Sequence, residues 1–343
     1  MNQADSGLRI VSVGGGTGLA TVLSGLKDYV GTRSGVGWIE SLTAIVTVTD
    51  DGGSSGRLRE EFQILPPGDI RNCMVSLAED EHLLTRLFQH RFESDGDLSG
   101  HSFGNLFLTA LASVTGDFLE AIKVSSEVLA IKGRIFPSTV QDVALVAELE
   151  DGRVIQGETN IVEARSRIKR LRLSSDNCLP LPETLDAINH ADVITIGPGS
   201  LYTSIIPNLL VHGIVEAIGE SSALKVYICN IMTQPGETDR FGVEDHLRVL
   251  FEYSPNLRLD YVVVNTAPIG KKLLAKYFAD GAAQVEMSSM SAEGSAFLKT
   301  SDGTHRFRII CRDVLHQDGL VRHDPDKLAR LLLEIYHSNP PKV

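Results

Sequence analysis

Apolar residues in this chain fall in short unbroken runs more often than in alternation. Residues 10–13, 44–48, 193–196, 226–229, 261–264 and 308–311 each read as a strand, closed by glycine or polar turns. Stretches with helical spacing separate them, such as 20–27 after the first run and 106–114. Continuous Val/Ile runs suit strands buried on both faces, which means a parallel sheet covered by helices. Strand and helix in alternation predict an α/β fold, a doubly wound, mainly parallel sheet.

One segment departs from that pattern. Residues 143–150, then Asp151-Gly152, then 153–157 read as a β-hairpin, because both turn positions tolerate positive φ. The expectation is a small antiparallel insertion at about 133–178 inside a domain running over 8–330. The basic run 165–172 that follows the hairpin reads as a solvated face.

Composition narrows the function classes. The 343 residues carry a formal net charge of −12, which argues against nucleic-acid or anionic-membrane surfaces. The four cysteines (Cys73, Cys178, Cys229, Cys311) form no CxxC, so free thiols in a reducing compartment are expected. No apolar run approaches the roughly 18 residues that span a bilayer. A cytoplasmic protein without membrane insertion follows from these features, with a homodimer as the default assembly.

Candidate chemistry sits where strands end. The first run stops at Gly14-Gly15-Gly16-Thr17-Gly18 and a helix pattern begins at once. Glycine lets backbone approach a ligand, and the free amides and dipole of a helix start favour an anion. Neither the G-x-G-x-x-G dinucleotide fingerprint nor a P-loop is present, since Leu19 takes the third glycine's place and no Lys-Ser/Thr pair follows. A second such bend is Gly197-Pro198-Gly199-Ser200. Two such loops suggest two anionic groups, as in a diphosphate-linked ligand.

Polar clusters follow other strand ends and helix starts. Asp50 and Asp51 precede Gly52-Gly53-Ser54-Ser55, with Arg57 and Arg59 beyond. The acids can hold ribose hydroxyls, a base edge or Mg²⁺, and the arginines can pair with phosphate. A surface turn capped by Asp50 is the plainer alternative. Asp69 reads as an N-cap, with Arg71 and Asn72 in the first turn behind it, facing solvent or ligand. Ser102 reads as the cap of the helix containing Asn105, beside His101. Asn230 lies in the polar segment after the 226–229 strand. No GxSxG, no HExxH and no Cys–His pair identifies an activated nucleophile.

Taken together, SVGGGTGL, VTDDGGSSGRLR, PPGDIRN, GHSFGNL, IGPGSLYTSIIPNLL and CNIMTQPGET resemble the YvcK-like gluconeogenesis factors, within the superfamily of 2-phospho-L-lactate transferase (CofD). The likeness runs from about residue 8 to Arg322-His323-Asp324. It implies a Rossmann-like sheet that binds a UDP-sugar such as UDP-N-acetylglucosamine and a role in cell shape and growth on gluconeogenic carbon, with no settled enzymatic activity. It also implies ligand contacts at Thr17 and at Arg322. For CofD itself it implies transfer of a phospholactyl group from a guanosine diphosphate donor with Mg²⁺, using an acid at the position of Asp50. Here that region reads DDGGSSGRLR, which departs from the transferase pattern.

The expected ligand-binding set is therefore Gly15, Gly16, Thr17, Gly18, Asp50, Asp51, Ser54, Arg57, Asn72, Asn105, Gly197, Gly199, Ser200, Asn230 and Arg322. Asp50 is the candidate for Mg²⁺ and, in a transferase, for catalysis; no other cofactor is expected. The expected ligand is a nucleotide sugar. A nucleotide-sugar-binding regulator and a Mg²⁺-dependent transferase are the two leading functions. An NAD(P)-dependent oxidoreductase is a weaker third, because the fingerprint lacks its last glycine.

Overall fold

The computed structural model describes residues 7–32, 38–79, 83–93, 95–287 and 293–338. The strands in chain order are β1 (Leu8–Gly14), β2 (Ile39–Val46), β3 (Arg134–Pro137), β4 (Leu145–Leu149), β5 (Val154–Gln156), β6 (Ile168–Leu173) and β7 (Val193–Ile196). They continue with β8 (Leu224–Ile228), β9 (Tyr261–Asn265), β10 (Gly294–Thr300), β11 (Gly303–Arg312), β12 (Leu315–Gln317) and β13 (Val321–His323). Eight of them form one sheet in the order β10-β11-β9-β8-β7-β1-β2-β3. Every neighbouring pair is parallel except β10 with β11, so the sheet is mainly parallel with one antiparallel edge.

The unbroken apolar runs are explained by burial on both faces. Val193, Val226, Ile228, Tyr261 and Val263 point into one core, under helices Gly16–Leu26 and Pro325–Ser338. Their neighbours Ile194, Ile196, Tyr227, Val262 and Val264 point into the other, with Leu201–Ile205 and helix Val243–Tyr253. Side chains alternate across a strand, so each run feeds two cores in turn.

The hairpin forms as β4 and β5 around Asp151-Gly152, with Gly152 at φ 85. β6 adds a third antiparallel strand, and this small sheet packs Leu145, Ala147, Leu149, Ile168, Leu171 and Leu173 onto the second core. Lys169, Arg170 and Arg172 of the basic run face solvent, and Lys169 pairs with Glu148 at 2.5 Å. One boundary differs from the expectation. The segment from about 133 does not open the insertion: Arg134–Pro137 pairs with Thr43–Val46 as the edge strand β3 of the large sheet. Among the described residues no single helix is long and apolar enough to cross a membrane.

Strand order reverses between β1 and β7, with β2 and β3 on one side and β8, β9 and β11 on the other. In such sheets the crevice beyond the carboxyl ends at the reversal is where ligands bind. The two glycine loops occupy those two ends.

Candidate functional site

β1 ends at Gly14, and helix Gly16–Leu26 begins two residues on. Gly16 sits at φ +60, a conformation that side chains rarely adopt, so the turn itself requires glycine there. Gly18 has ordinary helical geometry and is needed for another reason. A Cβ on it would collide with the Pro198 carbonyl oxygen and lie 2.6 Å from the Pro198 carbonyl carbon. The same atom would lie 2.9 Å from Gly199 Cα. The two loops are thus in backbone contact.

Together they floor a cavity of about 400 Å³. Of the predicted residues, Gly15, Gly16, Thr17, Gly18, Gly199, Ser200, Asn230 and Arg322 line it. Thr17 and Gly18 lie in the first helical turn, so their amides have no intrahelical acceptor. Other amides in the loops are used. Gly197 N–H donates to Val13 O at 2.9 Å, so this residue turns the chain behind the cavity without reaching it. Asn230 Nδ2 donates to Gly199 O at 2.9 Å and Gln234 Nε2 to Ser200 Oγ at 2.6 Å, so both side chains hold the second loop.

Among the described residues Arg322 is the only lysine or arginine on the lining, and it is exposed. His323 beside it is buried, which pushes its pKa down to about 4, and it stays neutral against the Cys229 carbonyl at 3.2 Å. The cavity therefore combines a permanent cation with main-chain donors. Met232, Tyr277, Leu320 and Val321 add less polar surface to its lining. That combination fits a ligand with an anionic centre and a ring.

The remaining predicted residues gather elsewhere. Asp50, Asp51, Ser54, Arg57, Asn72 and Asn105 do not line the cavity. Asp50 Oδ1 accepts the Gly52 amide at 2.9 Å, the turn-capping arrangement that was the plainer alternative. Asp51 Oδ1 accepts both the Thr159 amide and its hydroxyl at 2.9 Å, tying the loop to helix Glu158–Glu163. Ser54 Oγ meets His101 Nδ1 at 2.9 Å and Asn105 Nδ2 at 3.1 Å. Asn105 also donates its amide to Ser102 Oγ at 3.3 Å, so Ser102 caps its helix as expected. Arg57 reaches the Ser99 carbonyl at the surface, and Arg59 pairs with Asp142.

Asp69 is not an N-cap. Pro67 takes that position, and Asp69 stands in the first turn of helix Gly68–Leu77. Arg71 turns inward, donating to Ser102 Oγ at 2.6 Å and to Asn72 Oδ1 at 2.7 Å. Neither residue faces the cavity.

Asp69 links this cluster to the glycine loop from behind. Its carboxyl accepts the Gly16 amide, and its Oδ2 lies 2.6 Å from where a Gly15 Cβ would stand. Burial, then repulsion from Asp50, push its pKa up to about 7. Glu237 is pushed up to about 7 by burial, and one of its carboxylate oxygens has no partner among the described residues. Burial, followed by Asp50, Asp69 and Glu237, holds Glu158 well above the usual carboxylate range. A second, acidic layer thus underlies the anion loop.

Some lining residues carry no signal of their own in the sequence. Tyr277 lies on an amphipathic helix like any other. Gln234 falls inside the polar segment after β8, where only its contact with Ser200 distinguishes it.

Comparisons agree with this architecture. The family described as 2-phospho-L-lactate transferase CofD matches residues 10–301. The "Gluconeogenesis factor" of Bacillus subtilis (strain 168) is 44% identical over 329 residues, covering 95% of this chain and 98% of that protein. That of Halalkalibacterium halodurans is 46% identical over 325 residues, covering 95% of each chain. A crystal structure of a UPF0052 family protein from Bacillus halodurans superposes with a TM-score of 0.85 at 43% identity, covering 96% of this chain and 99% of that one. With a match across most of its length and such relatives over nearly all of it, the chain belongs to the CofD family, beside members named gluconeogenesis factors.

Proposed function

We propose that this protein binds a nucleoside diphosphate compound of the UDP-sugar type, UDP-N-acetylglucosamine being the representative. On this reading it acts as a regulator without turnover that supports cell shape and growth on gluconeogenic carbon. The observation that carries the reading is the contact of the two glycine loops at the β1/β7 reversal, under a cavity whose cation is Arg322. Main-chain donors and an arginine offset a diphosphate, and the volume lies within the roughly 300–1,000 Å³ usual for small-molecule sites. The reading includes a cytoplasmic location, a homodimer and no nucleic-acid partner. The names of the relatives support the gluconeogenic part of it.

Isothermal titration with millimolar UDP-N-acetylglucosamine tests the proposal; no heat and no thermal shift end it. Thr17→Ala should weaken binding by about fivefold, the usual worth of one hydrogen bond. Thr17→Glu should weaken it by at least about tenfold, because it sets a carboxylate beside phosphate. Equal affinities for wild type and Thr17→Glu would remove this loop from the site.

A second reading, transfer of a phospho-group from a nucleoside diphosphate conjugate, is favoured by the acidic layer behind the first loop. The Mg²⁺ implied by the family would be held by carboxylate oxygens. Among the described residues no three His, Cys, Asp or Glu side chains are grouped to hold a metal. Magnesium often takes only one or two carboxylates plus the phosphates of its ligand; this reading assigns it to Asp50, which stands off the cavity lining, and the ion would contribute neutralisation of phosphate charge. Under this reading Asp50→Asn abolishes turnover while leaving affinity within about twofold, since its Oδ1 still accepts the Gly52 amide. An unchanged rate removes Asp50 from the mechanism.

A further inference from the structure

One side of the cavity is built by a unit that barely touches the two sheet cores. Helix Lys271–Ala279 has no fully buried residue, and its Phe278 is 76% exposed. Its apolar face, Leu273 and Leu274, rests with Val321 and Met232 on a separate cluster of Ile231, Ile269 and Leu315. The β12–β13 hairpin shares that cluster. Two bonds fasten helix to hairpin: Gly270 N–H to Gln317 Oε1 at 2.8 Å, and Val321 N–H to Tyr277 Oη at 3.0 Å. At its base the hairpin is anchored by buried His323 and by Lys327, which donates to the Leu315 carbonyl at 3.2 Å. A segment with so small a core opens at a lower free energy than the sheet does.

This unit also brings charge to the cavity. The helix carries Lys271, Lys272 and Lys276 in nine residues and no acid, in a chain of net charge −12. Arg322, the lining cation, follows directly on Val321, whose amide Tyr277 accepts. Tyr277 itself lines the cavity. The phenol therefore fixes the strand from which Arg322 extends.

We infer that helix Lys271–Ala279 and the β12–β13 hairpin act as one closing element over the anion loops, and that Tyr277 is the positioning residue that sets Arg322 against the ligand. This rests on the proposed nucleoside diphosphate reading. The anion at the glycine loops draws Arg322 inward, and the Tyr277–Val321 bond carries that pull to the helix. Ordering the unit costs free energy, which the contacts to the bound diphosphate offset. A tyrosine with a purely local role would instead act on stability alone.

A double-mutant cycle with UDP-N-acetylglucosamine as the probe tests the inference. Arg322→Ala is expected to weaken binding by about tenfold or more, as loss of a charge-assisted contact does. Tyr277→Phe is expected to weaken it by about threefold to tenfold. The double variant should bind within about twofold of Arg322→Ala alone, because the phenol acts through the arginine. Amide exchange gives the second readout: the probe should slow exchange over Lys271–Ala279 and at Val321 while leaving helix Phe103–Thr115 unchanged. Losses that add in the double variant, a Tyr277→Phe that binds normally, or exchange unaltered by the probe would overturn the closing element and leave the binding reading standing. No heat from the wild type overturns the binding reading, and this inference with it.

Discussion

Gly18→Ala is expected to bind UDP-N-acetylglucosamine at least about a hundredfold more weakly, because one methyl group forces the two anion loops apart. Overpacking of this kind costs typically about 1–3 kcal/mol of stability. The added Cβ would meet the Pro198 carbonyl, with its carbon at 2.6 Å, and Gly199 Cα at 2.9 Å. These are backbone atoms, so no rotamer change relieves the contact. Backbone strain is not the cause, since Gly18 has no positive φ and alanine favours a helix by about 1 kcal/mol over glycine. What must yield is the spacing between the Thr17 and Gly18 amides and the second loop. Gly25→Ala supplies the control. It lies in the same helix, but its Cβ would strike the Pro325 carbonyl, away from the cavity. That variant should lose comparable stability while its folded fraction binds as wild type does. Thermal unfolding and calorimetric titration of both proteins separate the two effects. A Gly18→Ala protein with normal affinity would show that the loops do not share one ligand.

That contact joins residues far apart in the chain, and this is where reading the sequence stops. Each glycine loop is legible alone, because a strand that runs into glycines just before a helix marks a close backbone turn in any fold. Their mutual approach is a property of the sheet order. The strands β1, β7, β8 and β9 are legible because both faces are covered and their apolar runs are unbroken. β2 begins five residues before its expected start at Ala44, because Glu40, Ser41 and Thr43 interrupt the run although Thr43 is buried. β3 has only four residues and ends in Pro137, so it resembles a turn more than the sheet edge it forms. β10 pairs on one side only, and exposed Ser295, Phe297 and Lys299 hide its periodicity.

The polar clusters show the same limit. Asp50, Ser54, Asn72 and Asn105 are recognisable as chemistry-bearing residues near strand ends and helix starts. Their placement on a separate layer depends on how helices Gly53–Phe62, Gly68–Leu77 and Phe103–Thr115 meet, through Ser54 with Asn105 and Arg71 with Ser102. Arg71 illustrates the difficulty. An arginine in a first turn is ordinarily a surface residue, and only tertiary contacts reveal that this one is 8% exposed.

Asp69→Asn is expected to be more stable than the wild type above about pH 7 and to hold an anionic ligand more tightly there. The carboxyl titrates at about 7 in the folded protein against a usual value of 3.8, chiefly through burial and then through Asp50. The native state thus holds this proton more firmly than the unfolded chain does. Its contribution to stability is fully present below about pH 4 and is lost as pH rises through about 7. At 1.36 kcal/mol per unit the span corresponds to at most about 4 kcal/mol, and less in practice because the side chain keeps some contact with water. Glu237, raised from 4.5 to about 7, adds to the same slope. Asparagine keeps an oxygen for the Gly16 amide and cannot ionise, so the variant's melting profile should be flatter from about pH 5 to pH 8.

Affinity should follow the same titration. Ionised Asp69 sets a negative charge behind the amides that face the ligand, whereas the neutral acid does not. UDP-N-acetylglucosamine has no phosphate group that titrates between about pH 6 and pH 8, and His323 is held neutral near 4. Wild-type affinity should therefore fall across that interval more steeply than that of Asp69→Asn, in which Glu237 still titrates. If both fall alike, the titrating group is another member of the layer, and Glu237→Gln is the variant that should then level the curve. Wild-type affinity and melting temperature that are both flat over the interval would mean that the acids under the glycine loop remain ionised throughout, against the buried, mutually repelling arrangement seen here.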